Sequence, residues 1–287
     1  MGSYIRQLVR AGSLLVVATC VKMPVAHAEQ TRDFMIAAPK NGTDAVVDLI
    51  FPGVQATIEH RLPIYAPANQ LTLRANSLYT LPFYESQADV ELRMLVLTLG
   101  GSAGFRHDMR SEVFAPGETL SSEHRRLREV DGDFTTNTWG FGEGRATLSL
   151  PINDYVVFNG INTLRFQGSP DRSFDWRTGV VHDGMFFRSD LTLFFKHRDW
   201  GAFAPMMQIL DYGVDGSRHT QISYGFMALT RPGFRHRDDI FLVQFLVHPG
   251  ASFGGTDNSD SYGTALFYAP ITFTIAYRMI FPVWRPE

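Results

Sequence analysis

Residues 183–200 read DGMFFRSDLTLFFKHRDW. Taken alternately, they separate into two sets. Met185, Phe187, Ser189, Leu191, Leu193 and Phe195 form one set, nearly all apolar. Phe186, Arg188, Asp190, Thr192, Phe194 and Lys196 form the other, which carries charge of both signs. Successive side chains of a strand point to opposite faces. One face therefore suits hydrocarbon and the other suits water or polar side chains, the pattern of a transmembrane β-strand. The stretch runs out in a polar turn, His197-Arg198-Asp199-Trp200-Gly201. The last long segment repeats the pattern. Ile271, Phe273, Ile275, Tyr277, Met279 and Phe281 alternate with Thr272, Thr274, Ala276, Arg278 and Ile280.

The N-terminus reads differently. Arg6 and Arg10 flank an uncharged, mostly apolar run, Ala11 to Val21, and Ala26-His27-Ala28 is a small-x-small cleavage site. Residues 1–28 thus read as a secretory signal peptide. The run is shorter than the roughly 20 residues a spanning helix needs. Thr19 is a poor fit before Cys20 for lipoprotein processing. Cys20 is the one cysteine of the 287 residues, so an exported mature chain must be stabilised by a core or a membrane, without a disulfide. Removing Arg6, Arg10 and Lys22 from 26 basic residues leaves 23 against 29 acidic ones, and this balance argues against nucleic acid as a partner. Beyond residue 28 no apolar run resembles a membrane helix. The longest uncharged runs, 240–256 and 261–277, contain Pro249 or Pro270 and several polar residues. Any membrane passage is then by a closed barrel.

Alternation continues along the chain over 54–62, 71–81, 90–99, 145–150, 156–167, 202–212 and 221–230, with an apolar strand over 240–247. Turns are expected at Tyr65–Asn69, Tyr84–Asp89, Pro151–Asp154, Gly213–Gly216 and Arg231–Asp239. Residues 100–140 read as a long exposed loop, with one strand near Arg106–Phe114, and Gly168–Gly179 reads as a second loop. The expected organisation is a signal peptide over 1–28, a leader over 29–45, one antiparallel barrel of ten to twelve strands over 46–281, and a tail over 282–287.

With these features the chain resembles a bacterial outer-membrane β-barrel of the Gram-negative type. Signal, cysteine-free mature chain and alternating strands carry the likeness. So do aromatic residues near strand ends: Trp139, Trp176, Trp200, Trp284, Tyr84, Tyr155, Tyr212 and Tyr262. Members of that family usually end on the aromatic of the last strand, whereas here residues 282–287 follow Phe281. The resemblance implies residence in the outer membrane, contact with its lipid, and insertion by the barrel-assembly machinery.

The polar faces supply a lumen set: Arg74, Glu91, Arg93, Arg145, Arg165, Arg188, Asp190, Lys196 and Arg278. Six of the nine are arginines on separate strands, so either a local positive excess with a preference for anions or a set of lumen salt bridges that only brace the barrel is expected. Ten to twelve strands enclose little space once large side chains point inward, which favours a narrow or plugged pore for small solutes or ions. An enzyme of the outer membrane that modifies lipid, or a barrel presenting its loops for binding, is the alternative. The mature histidines (His60, His107, His124, His182, His197, His219, His236 and His248) are scattered without metal-ligand spacing. His219 and Ser223 share a face but stand four residues apart, and His182 and Ser189 face opposite ways, so no local catalytic dyad is legible. Asp257, Asn258 and Asp260 lack a full calcium loop. The sequence assigns no catalytic residue, metal or cofactor.

Overall fold

The computed structural model describes residues 41–51, 53–64, 66–81, 83–111, 135–169, 173–175, 180–197, 201–214, 216–230, 239–248 and 271–286. These form fourteen strands. They are β1 (Gly42–Ile50), β2 (Gly53–Ile64), β3 (Ala66–Thr80), β4 (Phe83–Met94), β5 (Leu97–Ser111), β6 (Thr135–Pro151), β7 (Val156–Gln167), β8 (Ser173–Asp175), β9 (Val180–His182), β10 (Met185–His197), β11 (Gly201–Val214), β12 (Ser217–Thr230), β13 (Ile240–Val247) and β14 (Ile271–Trp284). Twelve pair antiparallel into a closed barrel in the order β1-β14-β13-β12-β11-β10-β7-β6-β5-β4-β3-β2. The remaining two, β8 and β9, make a separate hairpin. Closure is made by β1 on β14, with Asp48 opposite Arg278 and Val46 opposite Ile280. The chain is therefore an all-β, closed antiparallel barrel, at the upper end of the expected strand number.

Alternation sorts the faces as hydrocarbon outside requires. Ile58, Leu73, Val90, Leu164, Phe166, Phe226 and Phe273 are exposed on the outer wall. Asp44, Glu59, Arg61, Asp89, Arg106 and Arg165 are buried within. A water-soluble protein rarely exposes contiguous apolar patches beyond a few hundred Å². Ladder hydrogen bonds satisfy the backbone internally, and closure leaves no edge strand.

Several boundaries differ from the sequence reading. The first strand begins at Gly42, inside the segment expected as a leader, and the last runs to Trp284. Residues 84–89, expected as a turn, lie within β4. The chain instead reverses at 81–82, where the Thr80 hydroxyl accepts from the Phe83 N–H at 3.2 Å and donates to its carbonyl at 2.9 Å. Next, β4 and β5 are joined by Leu95-Val96, two apolar residues inside an apolar run, with Leu95 at φ +53°. Ala66–Asn69 belongs to β3. The turns at 152–155 and 215–216 fall where Pro151–Asp154 and Gly213–Gly216 were expected. In the first, Asn153 Oδ1 accepts from the N–H groups of Tyr155 and Val156, both at 2.8 Å. The expected signal, the 112–134 stretch and the Asp257–Asp260 group lie outside the described residues.

The glycine run 100–104, inside the stretch expected as a long exposed loop, is the middle of β5. Gly100 stands between Glu91 of β4 and Arg145 of β6, and Ser102 between Asp89 and Glu143. Small residues on the inner face of β5 let Arg145 reach over that strand to Asp89, 2.9 Å from Nη2. Two neighbouring glycines make opposite predictions. A Cβ on Gly144 meets nothing within 4 Å, whereas one on Gly104 lies 2.1 Å from the Ser86 carbonyl oxygen. Gly144→Ala should stabilise the barrel by about 0.4–1 kcal/mol through the unfolded chain's entropy. Gly104→Ala should destabilise it. Denaturant titration of the two folded variants checks the opposite signs.

Candidate functional site

Both chain termini of the barrel, Gly42 and Trp284, lie at one end, here the near end, since β1 and β14 are antiparallel. The far end carries the 51–52, 81–82 and 215–216 reversals and the connections 112–134, 168–184 and 248–270.

The lumen is built on rows of cross-strand neighbours. One row runs Asp44, Glu59, Arg74, Asp89, Ser102, Glu143, Arg165 over seven consecutive strands of the wall. The charged members of the row, together with Arg61, Glu85, Glu91 and Arg145, form a continuous ion-pair network, in which Ser102 takes no part. Arg61 donates to Asp44 at 2.5 Å and also contacts Glu59. Arg74 reaches Glu59 at 3.2 Å, Asp89 at 3.3 Å and Glu91 at 2.7 Å. Arg145 reaches Asp89 and, at 3.4 Å, Glu143. Arg165 donates to both oxygens of Glu85, at 3.2 and 2.7 Å. Removing one member of such a buried network leaves a charge uncompensated.

All nine lumen residues expected from the sequence fall on inward positions of their strands. Arg74, Glu91, Arg145 and Arg165 join the network above. Arg188 donates to Asp190 at 2.7 Å, and Arg278 donates to Asp48 at 2.7 and 3.0 Å. Arg93 and Lys196 also have partners. The expected positive excess is overturned. Asp44, Asp48, Glu59, Glu85, Asp89, Asp108 and Glu143 also face inward and are buried. They pair with the arginines one for one or better. Their signal was available: each has the parity of an inward position once its strand is placed. Asp89 was hidden by the misplaced turn and Asp44 by the expected leader, whereas Asp108 lay in the strand expected near Arg106–Phe114 and was not read for its facing.

Among the described residues, a buried cluster stands at the far end. Arg106 is fully buried; Nε donates to Asp108 at 2.6 Å and Nη1 to Asp175 of β8 at 2.5 Å. Its guanidinium lies 4.1 Å from the Phe83 ring centre and 5.6 Å from that of Trp139, and Arg165 lies 3.7 Å from Phe141. Such stacking attracts a desolvated cation to the ring faces. Trp139 and Tyr212, expected in outer aromatic girdles, are buried in the lumen instead, whereas Trp284 and Tyr155 are exposed outside. The β8–β9 hairpin turns into this mouth. Val180 packs with Phe186, Leu210 and Tyr212. His182 is buried against Phe186, with Gln167 2.8 Å from Nε2 and the Gly184 N–H donating to Nδ1 at 2.9 Å. Burial pushes the Asp175 carboxyl up, but Arg106 and His182 outweigh it and hold the group well below the usual carboxylate range.

The lumen is wetter away from this mouth. The side chains of Arg74, Arg145 and Arg188 keep 24, 26 and 31 % of their exposure, against 0 % for Arg106 and 1 % for Arg165. The wall of β11–β13 is uncharged on its inner face. There Ser223 Oγ lies 2.7 Å from His248 Nδ1, a pairing the sequence reading missed by matching Ser223 with His219. His219 stacks on Tyr212 instead, and Ser189 faces away from His182, out of the lumen.

No family model matches the chain, and no curated protein matches it. Among solved structures it is similar to a NanC porin in a rhombohedral crystal form, at 8% identity over 83% of this chain and 98% of that one, with a TM-score of 0.37. It is also similar to LpxR from Salmonella typhimurium, at 8% identity over 83% of this chain and 99% of that one, with a TM-score of 0.40.

Proposed function

We propose that this chain is an outer-membrane barrel that passes small polar solutes or ions through a narrow, ion-pair-lined lumen, closed at its far end by the β8–β9 hairpin. The graded exposure of the lumen charges carries the reading: accessible arginines lead up to a fully buried Arg106–Asp175 closure. Structural ion pairs need no accessible lumen, whereas a water path does. The near end, with its termini and short turns, then faces the periplasm, and the long connections face outward. Insertion by the barrel-assembly machinery and contact with outer-membrane lipid follow from the same reading.

The test is conductance of the refolded protein in a planar bilayer. The closed mouth predicts small, infrequent events. Paired lumen charge predicts a reversal potential near zero across a salt gradient, without the anion preference that an unpaired arginine ring gives. Large steady conductance, or strong selectivity of either sign, counts against this lumen. Recovery of the mature chain in the soluble periplasmic fraction, with no heat-modifiable band, counts against the barrel in the membrane.

A further inference from the structure

We propose that Ser223 is a nucleophile activated by His248, forming a lumenal site that cleaves small carboxylic esters. Ser223 lies on β12 and His248 follows β13 directly; Tyr224 is opposite Val247 in the ladder, which sets Ser223 beside His248. Both side chains are buried inside the barrel, at 1 and 5 % exposure. Their neighbours on the same wall, Gln208 and Gln221, are half-buried, so the pair borders accessible lumen.

The hydrogen bonds assign the proton. Gln221 Nε2 lies 3.0 Å from His248 Nδ1, and an amide nitrogen only donates. Nδ1 therefore accepts, and its single lone pair is shared between Gln221 and the Ser223 hydroxyl, whose Oγ lies 2.7 Å away. That is the arrangement in which a neutral imidazole takes the serine proton as the oxygen attacks. Burial holds the His248 imidazole below its usual range, which keeps it neutral and ready as a base near pH 7. Gln221 Nε2 is also 3.5 Å from Ser223 Oγ, so the amide borders the oxygen that attacks. The other amide atom, Gln221 Oε1, is buried without a hydrogen-bond partner, an acceptor open to a donor on the substrate. Gln208, opposite Ser223 in the ladder, is held by Asp190, to which its Nε2 donates at 2.9 Å.

The step balances without a further reagent beyond water. Ser223 Oγ bonds to the acyl carbon and its proton passes to His248 Nδ1. The carbon–oxygen bond to the alcohol breaks, and the alcohol leaves with that proton. Water then attacks the acyl-serine, gives its proton to Nδ1, and releases the acid as Oγ recovers a proton.

The experiment uses the folded full-length barrel in detergent, checked by heat modifiability, and a small alkyl fluorophosphonate as probe. Intact mass should rise by one adduct, located on Ser223 by peptide mapping. Ser223→Ala should abolish the adduct. His248→Gln should slow labelling by roughly 10²–10⁴-fold, the range for loss of a general base. The labelling rate should rise with pH through the His248 ionisation and level off below the usual histidine midpoint of about 6.5. Hydrolysis of a short-chain nitrophenyl ester should follow the same variants. Wild type that stays unlabelled, both as it is and with the hairpin loosened by Asp175→Ala, overturns the proposal. So does labelling that survives Ser223→Ala, or a rate indifferent to His248. Because heat modifiability and conductance are read separately, a failed channel or a failed fold is distinguished from a failed nucleophile.

Discussion

Asp175→Ala should open the far mouth and raise conductance several-fold while the barrel stays folded. Asp175 and Arg106 are both fully buried, and Nη1 to Oδ1 is 2.5 Å. Breaking a buried pair by deleting one partner costs about 3–5 kcal/mol, because the remaining charge is left uncompensated. Arg106 retains Asp108, so part of that cost is absorbed in the barrel wall. The hairpin absorbs the rest. It has three residues in each strand, and an isolated two-stranded hairpin is marginal in water. Among its described residues, Ser173, Val180 and His182 stay buried. The ladder of β1–β14 does not involve the hairpin, so heat modifiability should persist. Unchanged conductance in a folded Asp175→Ala sample would show that the hairpin is no closure.

Acid should mimic the substitution only at low pH. The Asp175 pKa is depressed in the folded chain, so its contribution is complete above the ordinary value of an unfolded aspartate, about 3.9. It is lost as pH falls further, through the depressed folded value. Conductance should therefore stay low down to about pH 4 and rise only below it. Opening between pH 5 and 7 would point to a group other than Asp175.

What the sequence made legible was parity. A period of two is strong over β10 and β14, and parity alone placed Arg188 and Asp190 inside and Leu191 and Leu193 outside. The nine expected lumen residues share the parity of the buried charges on their strands. Strand ends were harder to read because their markers conflicted with propensity. Gly100–Gly104 looks flexible, yet its small inner residues make room for Arg145 to reach Asp89. Leu95-Val96 turns the chain without a turn residue. The candidate sites were less legible still, since they depend on which strands become neighbours. Arg165 and Glu85 are 80 residues apart and Arg106 and Asp175 are 69 apart. Ser223 meets His248 across a hairpin whose connection was read only as a charged turn. Local spacing carries no trace of such contacts. Inward apolar residues are a further departure from the facing rule: Val157, Phe194 and Leu229 are buried on the inner face toward the near end, where the rule alone assigns polar groups.

Leu191→Arg should cost the barrel roughly 2–4 kcal/mol, the penalty for a charge on the lipid face near the bilayer midplane. Leu191 is the seventh of thirteen residues in β10, midway along the strand, and faces outward between Gly160 of β7 and Met207 of β11. A Cβ on Gly160 would lie 3.5 Å from Leu191 Cδ2, so the leucine covers a bare stretch of wall. An arginine there has no acidic neighbour in register. Its guanidinium must extend toward one interface, and the cost falls as that distance shortens. The adjacent Asp190→Asn is the control. Asp190 accepts from Arg188 Nε at 2.7 Å and Gln208 Nε2 at 2.9 Å, and an asparagine oxygen keeps one of those bonds. The Arg188 side chain retains 31 % exposure, so the lost ion pair is screened by lumen water and is worth about 1 kcal/mol or less. Urea unfolding of both variants in lipid vesicles measures the difference. Equal destabilisation at 190 and 191 would mean that the outer face of β10 is not in hydrocarbon.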